Sequence, residues 1–203
     1  MAIEAFYNLK EKKKTSILDA ISLCLKNKDY DDLSVNDISV AADISRGSFY
    51  NYFTDKNDAV GTLVDSKINE YFEKYRMAIE SSNFNLIEGT RKIYNDTNSI
   101  LKDEINVAIM RNLKFFIEFG TQALHSKKFE TDIDEFINWL IKNTNEGKTA
   151  LNNHKKMANV LDMLIGIVLN AVFNSIMFNS EYFEKYDDLN YKLDLIKESL
   201  NKN

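Results

Sequence analysis

Apolar residues recur at helical spacing along most of the chain. Between Lys10 and Lys26 they fall at Ile17, Ala20, Ile21, Cys24 and Leu25, which predicts an amphipathic helix with its lysines on or before the first turn. Asn27 to Asp32 is polar and turn-like. Ser34-Val35-Asn36-Asp37 then has the form of a capping box ahead of Ile38 and Ala41, and predicts a short second helix ending near Ala42. Asp43 occupies the turn, and Ser45 caps a third helix through Phe49 and Phe53. Asp55 caps a fourth, with Asp58 at its third helical position. Val60, Leu63, Val64, Ile68, Tyr71, Phe72 and Tyr75 carry it for about six turns, roughly 30 Å.

The pattern breaks at Ser81 to Asn85. Further helices are expected over Leu86 to Leu101, Glu104 to Leu124 and Thr131 to Asn145, then a bend at Glu146-Gly147-Lys148. A long apolar helix from His154 to Phe178 and an amphipathic one from Leu189 to Leu200 complete an all-α reading. Composition agrees with it. The chain has 203 residues, no proline and 6 glycines, too little turn chemistry for a β protein, and its 44% apolar and 28% charged residues are those of a folded chain.

The apolar stretch Met163 to Phe178 is interrupted by Asn170 and Asn174 and is shorter than the roughly 20 residues of a membrane span. Met1 to Leu9 lacks the apolar core of a signal peptide, and the single cysteine, Cys24, suits a reducing compartment, so a cytoplasmic location without membrane contact is expected. Only His125 and His154 accompany that cysteine, which leaves no metal site in prospect, and no cofactor is called for. No nucleophile, base and orienting group cluster in sequence, and there is no phosphate loop, so an enzyme is not the expectation.

The informative stretch is Leu33 to Lys56, LSVNDISVAADISRGSFYNYFTDK. Small Ala41 and Ala42 permit close approach of two helices, and Ile38, Ile44, Phe49 and Phe53 supply a core beneath the turn. Arg46, Gly47, Ser48, Tyr50, Asn51 and Tyr52 are left outward, a polar and aromatic face fit for a major groove. Ser45-Arg46-Gly47-Ser48-Phe49-Tyr50-Asn51-Tyr52-Phe53, followed by Asp55-Lys56, resembles the DNA-binding signature of the TetR family, whose pattern is Ser-Arg-Gly-Ser/Thr-Phe-Tyr-x-Tyr/His-Phe ahead of a short turn and a lysine. The chain departs from that family at Asp43, where glycine is usual.

The resemblance implies a helix-turn-helix domain over residues 1–56 and a helical ligand-binding and dimerisation domain over 57–203. It assigns Asn36, Arg46, Gly47 and Ser48 to base edges, and Ser34, Tyr50, Asn51, Tyr52 and Lys56 to phosphates. It further implies a homodimer on a pseudo-palindromic operator in double-stranded DNA, formed by the last two helices through Leu161, Leu164, Ile165, Val168, Leu169, Val172, Phe173, Ile176, Leu193, Ile196 and Leu200. A small hydrophobic or aromatic effector would lie among Tyr94, Met110, Phe115, Phe116, Phe119, Phe136 and Trp139, of which each ring taken singly is more often core than pocket. Release by that effector makes the chain a repressor. The alternative is a helix-turn-helix protein controlled by a protein partner or by no effector.

Charge qualifies this reading. The net charge is −5, and residues 1–56 carry eight Lys and Arg against nine Asp and Glu, so only local placement of Lys10, Lys12, Lys13, Lys14, Arg46 and Lys56 favours a polyanion.

Overall fold

The computed structural model describes residues 2–100, 127–177 and 188–201. The described residues are helices joined by short turns: α1 Glu4–Tyr7, α2 Glu11–Asn27, α3 Val35–Ala41, α4 Arg46–Tyr52, α5 Lys56–Ser81, α6 Leu86–Ile100, α7 Lys127–Asn143, α8 Asn145–Lys148, α9 His154–Met177 and α10 Asp188–Asn201. The all-α expectation holds, and the predicted helices that fall within these residues appear close to their expected bounds. The helix expected over Glu104 to Leu124 lies outside the described residues. Two short helices were not anticipated: α1, and α8 where a bend was expected. The described residues divide into two compact units, one of residues 2–69 with 127–130, the other of 70–100, 131–177 and 188–201.

The first unit is built on the period read from sequence. Ile17, Ala20, Ile21, Cys24 and Leu25 form the buried stripe of α2, and they enclose Ile38 of α3, Phe49 and Phe53 of the α4 segment, and Ala59, Val60 and Leu63 of α5. Helix ends are secured locally. The Asp37 amide donates to Ser34 Oγ (3.2 Å) while the Ser34 amide donates to the Asp37 carboxylate (2.9 Å), so the expected capping box of α3 is present. Ser45 Oγ accepts from the Ser48 amide (3.0 Å) at the start of α4. Asp55 accepts from the Asp58 amide (2.8 Å), and Asp58 reaches back to the Thr54 amide (2.8 Å).

The turn between α3 and α4 is a Schellman closure. The Asp43 amide donates to the Val40 carbonyl and the Ile44 amide to the Ser39 carbonyl (3.0 Å), with Asp43 left-handed at φ 49°. An aspartate therefore holds the conformation that glycine usually supplies, as its place in the turn implied. The alanine pair differs from expectation: Ala42 is buried, but Ala41 is exposed. Successive residues on a helix diverge by about 100°, so only one of the two faces the core.

In the second unit, Phe72, Tyr75 and Ile79 of α5 pack with Leu86, Ile87 and Ile93 of α6, Phe136 and Leu140 of α7, and the buried faces of α9 and α10. Gly89 makes the α5–α6 approach possible: a Cβ there would lie 2.5 Å from Ile79 Cγ1 and 2.8 Å from its Cα. The turn after α5 has Asn83 and Phe84 both left-handed. Their carbonyls accept from the side chain and the amide of Asn145 (3.0 and 2.9 Å), and Glu146 accepts from the Leu86 amide (3.0 Å) at the start of α6. Glu146-Gly147-Lys148 is thus part of a one-turn helix capped by Thr144, whose hydroxyl oxygen accepts from the Gly147 amide (2.9 Å).

Two stability outcomes follow from these backbone constraints. Gly89→Ala lowers unfolding free energy by about 1–3 kcal/mol through overpacking, whereas Gly61→Ala, with open space at its Cβ position in α5, raises it by about 0.5–1 kcal/mol. Urea titration of both variants checks the pair, and loss of stability in each alike would contradict the assigned contact. At the turn, Asp43→Ala costs about 1 kcal/mol because alanine gains nothing from the left-handed backbone. Asp43→Gly should be at least as stable as the parent, and equal unfolding midpoints for the two variants would show that φ at residue 43 is unimportant.

Candidate nucleic-acid interface

Helix α4 has seven residues, and burial sorts them sharply. Phe49 is inaccessible, as is Phe53 at the cap, and their rings lie 5.3 Å apart. Arg46, Gly47, Tyr50 and Asn51 are exposed, and Tyr50 packs edge-on against Phe49 at 5.4 Å. Ser48 is half-buried with its Oγ 2.9 Å from Ser45 Oγ. Asn36, on α3, is exposed. A Cβ at Gly47 would meet only Ser45 Oγ, at 3.7 Å, and Gly47 has no positive φ. Nothing within the protein demands glycine there, so its bareness is available to whatever approaches α4.

Three residues assigned to phosphates have prior engagements. The Ser34 hydroxyl donates to Asp37 (2.6 Å) and accepts from the Asp37 amide, so it is occupied by the α3 cap. Lys56 donates to the Tyr30 carbonyl (2.8 Å) and stands over the Tyr30 ring at 4.3 Å. An ammonium has three donors, which leaves Lys56 capacity for a second acceptor. Tyr52 is half-buried, its ring edge-on to Phe6 at 6.4 Å.

The electrostatics of this end are set by pairing. Lys28 binds Asp37 at 2.7 Å. That hydrogen bond, with those from Ser34, lowers the Asp37 carboxyl to about 2. Burial pushes the Cys24 thiol up, and the Asp37 charge adds to it, which fits a small apolar core residue better than a nucleophile. Lys13 was not among the expected site residues, yet its ammonium reaches the Ala42 carbonyl at 3.5 Å, beside the turn. The lysine run at the start of α2 was the signal for it.

The expected effector and dimer residues are placed as follows. Phe136 is fully buried, stacked on Phe72 at 4.7 Å and on half-buried Trp139 at 6.2 Å, with the Arg76 guanidinium 5.5 and 5.7 Å from the two rings. Tyr94 is half-buried. Phe72, Tyr75 and Arg76 of α5 join these rings, a juxtaposition across helices that has no local signature in sequence. Met110, Phe115, Phe116 and Phe119 lie outside the described residues, as do the side chains of Val172, Phe173 and Ile176.

Leu161, Leu164 and Val168 of α9, and Leu193 and Ile196 of α10, are buried against the chain's own helices. Ile165 and Leu200 are half-buried, and Leu169 is exposed. The residues at 161, 164 and 168 make the inner face of α9, and Met163, Gly166 and Leu169 its outer one. Tyr191 and Leu195 are exposed on α10. Among the described residues no helix is long and apolar enough to cross a membrane.

Residues 17–60 match the family model described as bacterial regulatory proteins, tetR family. No curated protein matches the chain. Among solved structures, the fatty acid degradation regulator FadR from Bacillus halodurans is similar at 19% identity, with a TM-score of 0.58 over 92% of this chain and 96% of that one. A TetR family transcriptional regulator from Chloroflexus aurantiacus J-10-FL is 19% identical over 87% of this chain and 95% of that one, with a TM-score of 0.38. The match over residues 17–60 spans α3, the turn and α4, where the buried and exposed sides were just described, and it makes this segment a DNA-binding segment of the tetR type.

Proposed function

We propose that the chain is a repressor that holds a pseudo-palindromic operator as a homodimer and releases it when a small hydrophobic or aromatic molecule binds within residues 57–203. The observation that carries the DNA-reading part is the division of α4, with Phe49 and Phe53 inward and Arg46, Gly47, Tyr50 and Asn51 outward. Arg46 presents two parallel donors suited to the O6 and N7 of guanine. Asn36 and Ser48 flank it, and Gly47 lets the base pairs come close. Tyr50, Asn51, Tyr52 and the remaining donors of Lys56 meet phosphates, which fixes register without reading sequence.

Dimerisation is assigned to the outward residues Met163, Gly166 and Leu169 of α9, with Tyr191 and Leu195 of α10. Burying such side chains on a second copy contributes about 25 cal/mol per Å² of apolar surface, and two-fold symmetry then sets half-sites about 10 base pairs apart, or a multiple of that.

The effector is assigned to the ring set of Phe136, Trp139 and Tyr94, joined by Phe72, Tyr75 and Arg76. Helix α5 begins at Lys56, shortly after α4 in the chain, and carries three of these side chains. A displacement of α5 coupled to ligand by about 1–3 kcal/mol weakens DNA binding about five- to 150-fold. The close stacking and full burial of Phe136 favour a second reading, in which these rings are core and control comes from elsewhere.

Fluorescence anisotropy on a duplex selected by the protein, against a random duplex at fixed salt, tests the reading. Arg46→Ala should lose about 1–3 kcal/mol on the selected duplex only. Equal losses on both would remove the base-reading role. Leu169→Glu, at an exposed site, should leave the protomer folded, convert it to monomer in sedimentation and abolish tight operator binding. A persistent dimer would exclude this face from the interface.

A further inference from the structure

The family match begins at residue 17, and the segment ahead of it packs directly on α4. The Ile3 amide donates to the Tyr52 carbonyl at 2.8 Å. Phe6 is 2% exposed, with its ring 5.0 Å from Phe53 and 6.4 Å from Tyr52. Ala2 is buried, and Leu9 packs on the same core.

This arrangement addresses a specific weakness of α4. The last carbonyls of any helix lack intrahelical partners, and in α4, where the Phe53 amide reaches the Phe49 carbonyl, these include Tyr50, Asn51 and Tyr52. Tyr52 is the last residue of α4. A bond to its carbonyl from outside the helix, and an aromatic edge against its ring, fix the carboxyl end of α4 and the direction of the Tyr52 hydroxyl together.

We infer that α1 is a working part of the DNA-binding head, with Ile3 and Phe6 as positioning residues that hold Tyr52 and the end of α4 for DNA contact. The inference rests on the assignment of Tyr52 to phosphate made above. Holding a contact residue in one geometry before binding removes an ordering cost that the complex would otherwise bear. The arm therefore acts on affinity more than on fold.

The backbone offers a selective test. Ile3 has φ −70° and ψ 150°, the conformation proline prefers, so Ile3→Pro deletes the donor with little other disturbance. Ile3→Val keeps the donor and serves as control. Binding is measured by anisotropy on a duplex selected from a random library by the full-length protein, with thermal melting of each variant. Ile3→Pro should weaken binding about tenfold, equivalent to about 1.4 kcal/mol, while Ile3→Val does not and the melting temperatures stay close.

A merely structural arm would act independently of the tyrosine hydroxyl, so the discriminating measurement is the double variant. In a Tyr52→Phe background, Ile3→Pro should add no further loss. Phe6→Leu, which keeps an apolar side chain in the core but removes the ring edge, should behave the same way and serves if Ile3→Pro unfolds the head. Ile3→Pro binding as tightly as Ile3→Val, or losses that add fully to Tyr52→Phe, would overturn the positioning role even where Arg46→Ala still loses affinity. Failure of the full-length protein to select any duplex would overturn the DNA-reading assignment and this inference with it.

Discussion

A helix of seven residues has almost no stability of its own, since nucleation costs more than so few hydrogen bonds return. Whatever α4 presents outward therefore depends on what it buries. Phe49 and Phe53 are both inaccessible and, with Phe6, form a chain of rings with centroids 5.0 to 5.3 Å apart. Aromatic side chains bury large areas for few rotatable bonds, so a short helix is held most economically by them. The same constraint accounts for the heavy capping nearby: Ser34 and Asp37 close the start of α3, and Ser45 the start of α4. With the turn at Asp43 satisfying the Val40 and Ser39 carbonyls, few backbone groups at these ends are left to solvent.

The second unit solves a different problem, the close approach of α5 and α6 around a tight turn. Gly89 lets the two backbones meet at Ile79. Tyr75 is fully buried and shares a hydrogen bond with Thr90, and burial raises its hydroxyl far above the ordinary tyrosine range, so it stays neutral and donates or accepts as a fixed polar strut. The left-handed Asn83 and Phe84 cost about 1–2 kcal/mol each. The Asn145 bonds to their carbonyls and the Glu146 cap on α6 offset that cost by tying the turn to α8. Where these groups are satisfied together, a ring pair such as Phe72 and Phe136 is held in one arrangement, which is the condition for any shift there to be transmitted rather than absorbed.

The parts of this architecture legible in the sequence were those with a repeat or a local chemical pattern. The α2 stripe has a period, and Ser34 with Asp37, Ser45 and Asp55 have caps two or three residues away. Helices α1 and α8 have four residues each, which is too short for any period to register. The engagement of Lys56 with Tyr30 joins positions 26 residues apart, and nothing local to Lys56 announces it. On α9 the difficulty was excess: apolar residues surround most of the helix, so the pattern shows that two faces are apolar but not which of them packs inward. Leu161, Leu164 and Val168 took the inner face because Met157 continues their line at helical spacing, and all four are buried. The outward side carries Met163 and Leu169, which are apolar as well. Arg76 was invisible for a related reason, since a guanidinium over two rings depends on Phe136 and Trp139 arriving from a helix about 60 residues away.

Charge is where the sequence and the fold must be read together. A segment, residues 1–56, with eight cations and nine anions looks ill-suited to a polyanion until the placement of those anions is considered. Asp37 and Asp55 sit at helix starts, where amide donors and the positive end of the helix dipole meet their charge. Asp37 is in addition paired with Lys28. The cations are spent in a similar way at Lys14, bound to Glu11 at 2.7 Å, and in part at Lys56. Arg46 is the one charged residue of α4. With no net positive charge over residues 1–56, non-specific attraction to a polyanion is weak, and affinity must come chiefly from the fit of a few well-held side chains. That returns the burden to the geometry of α4, and so to the rings that hold it in place.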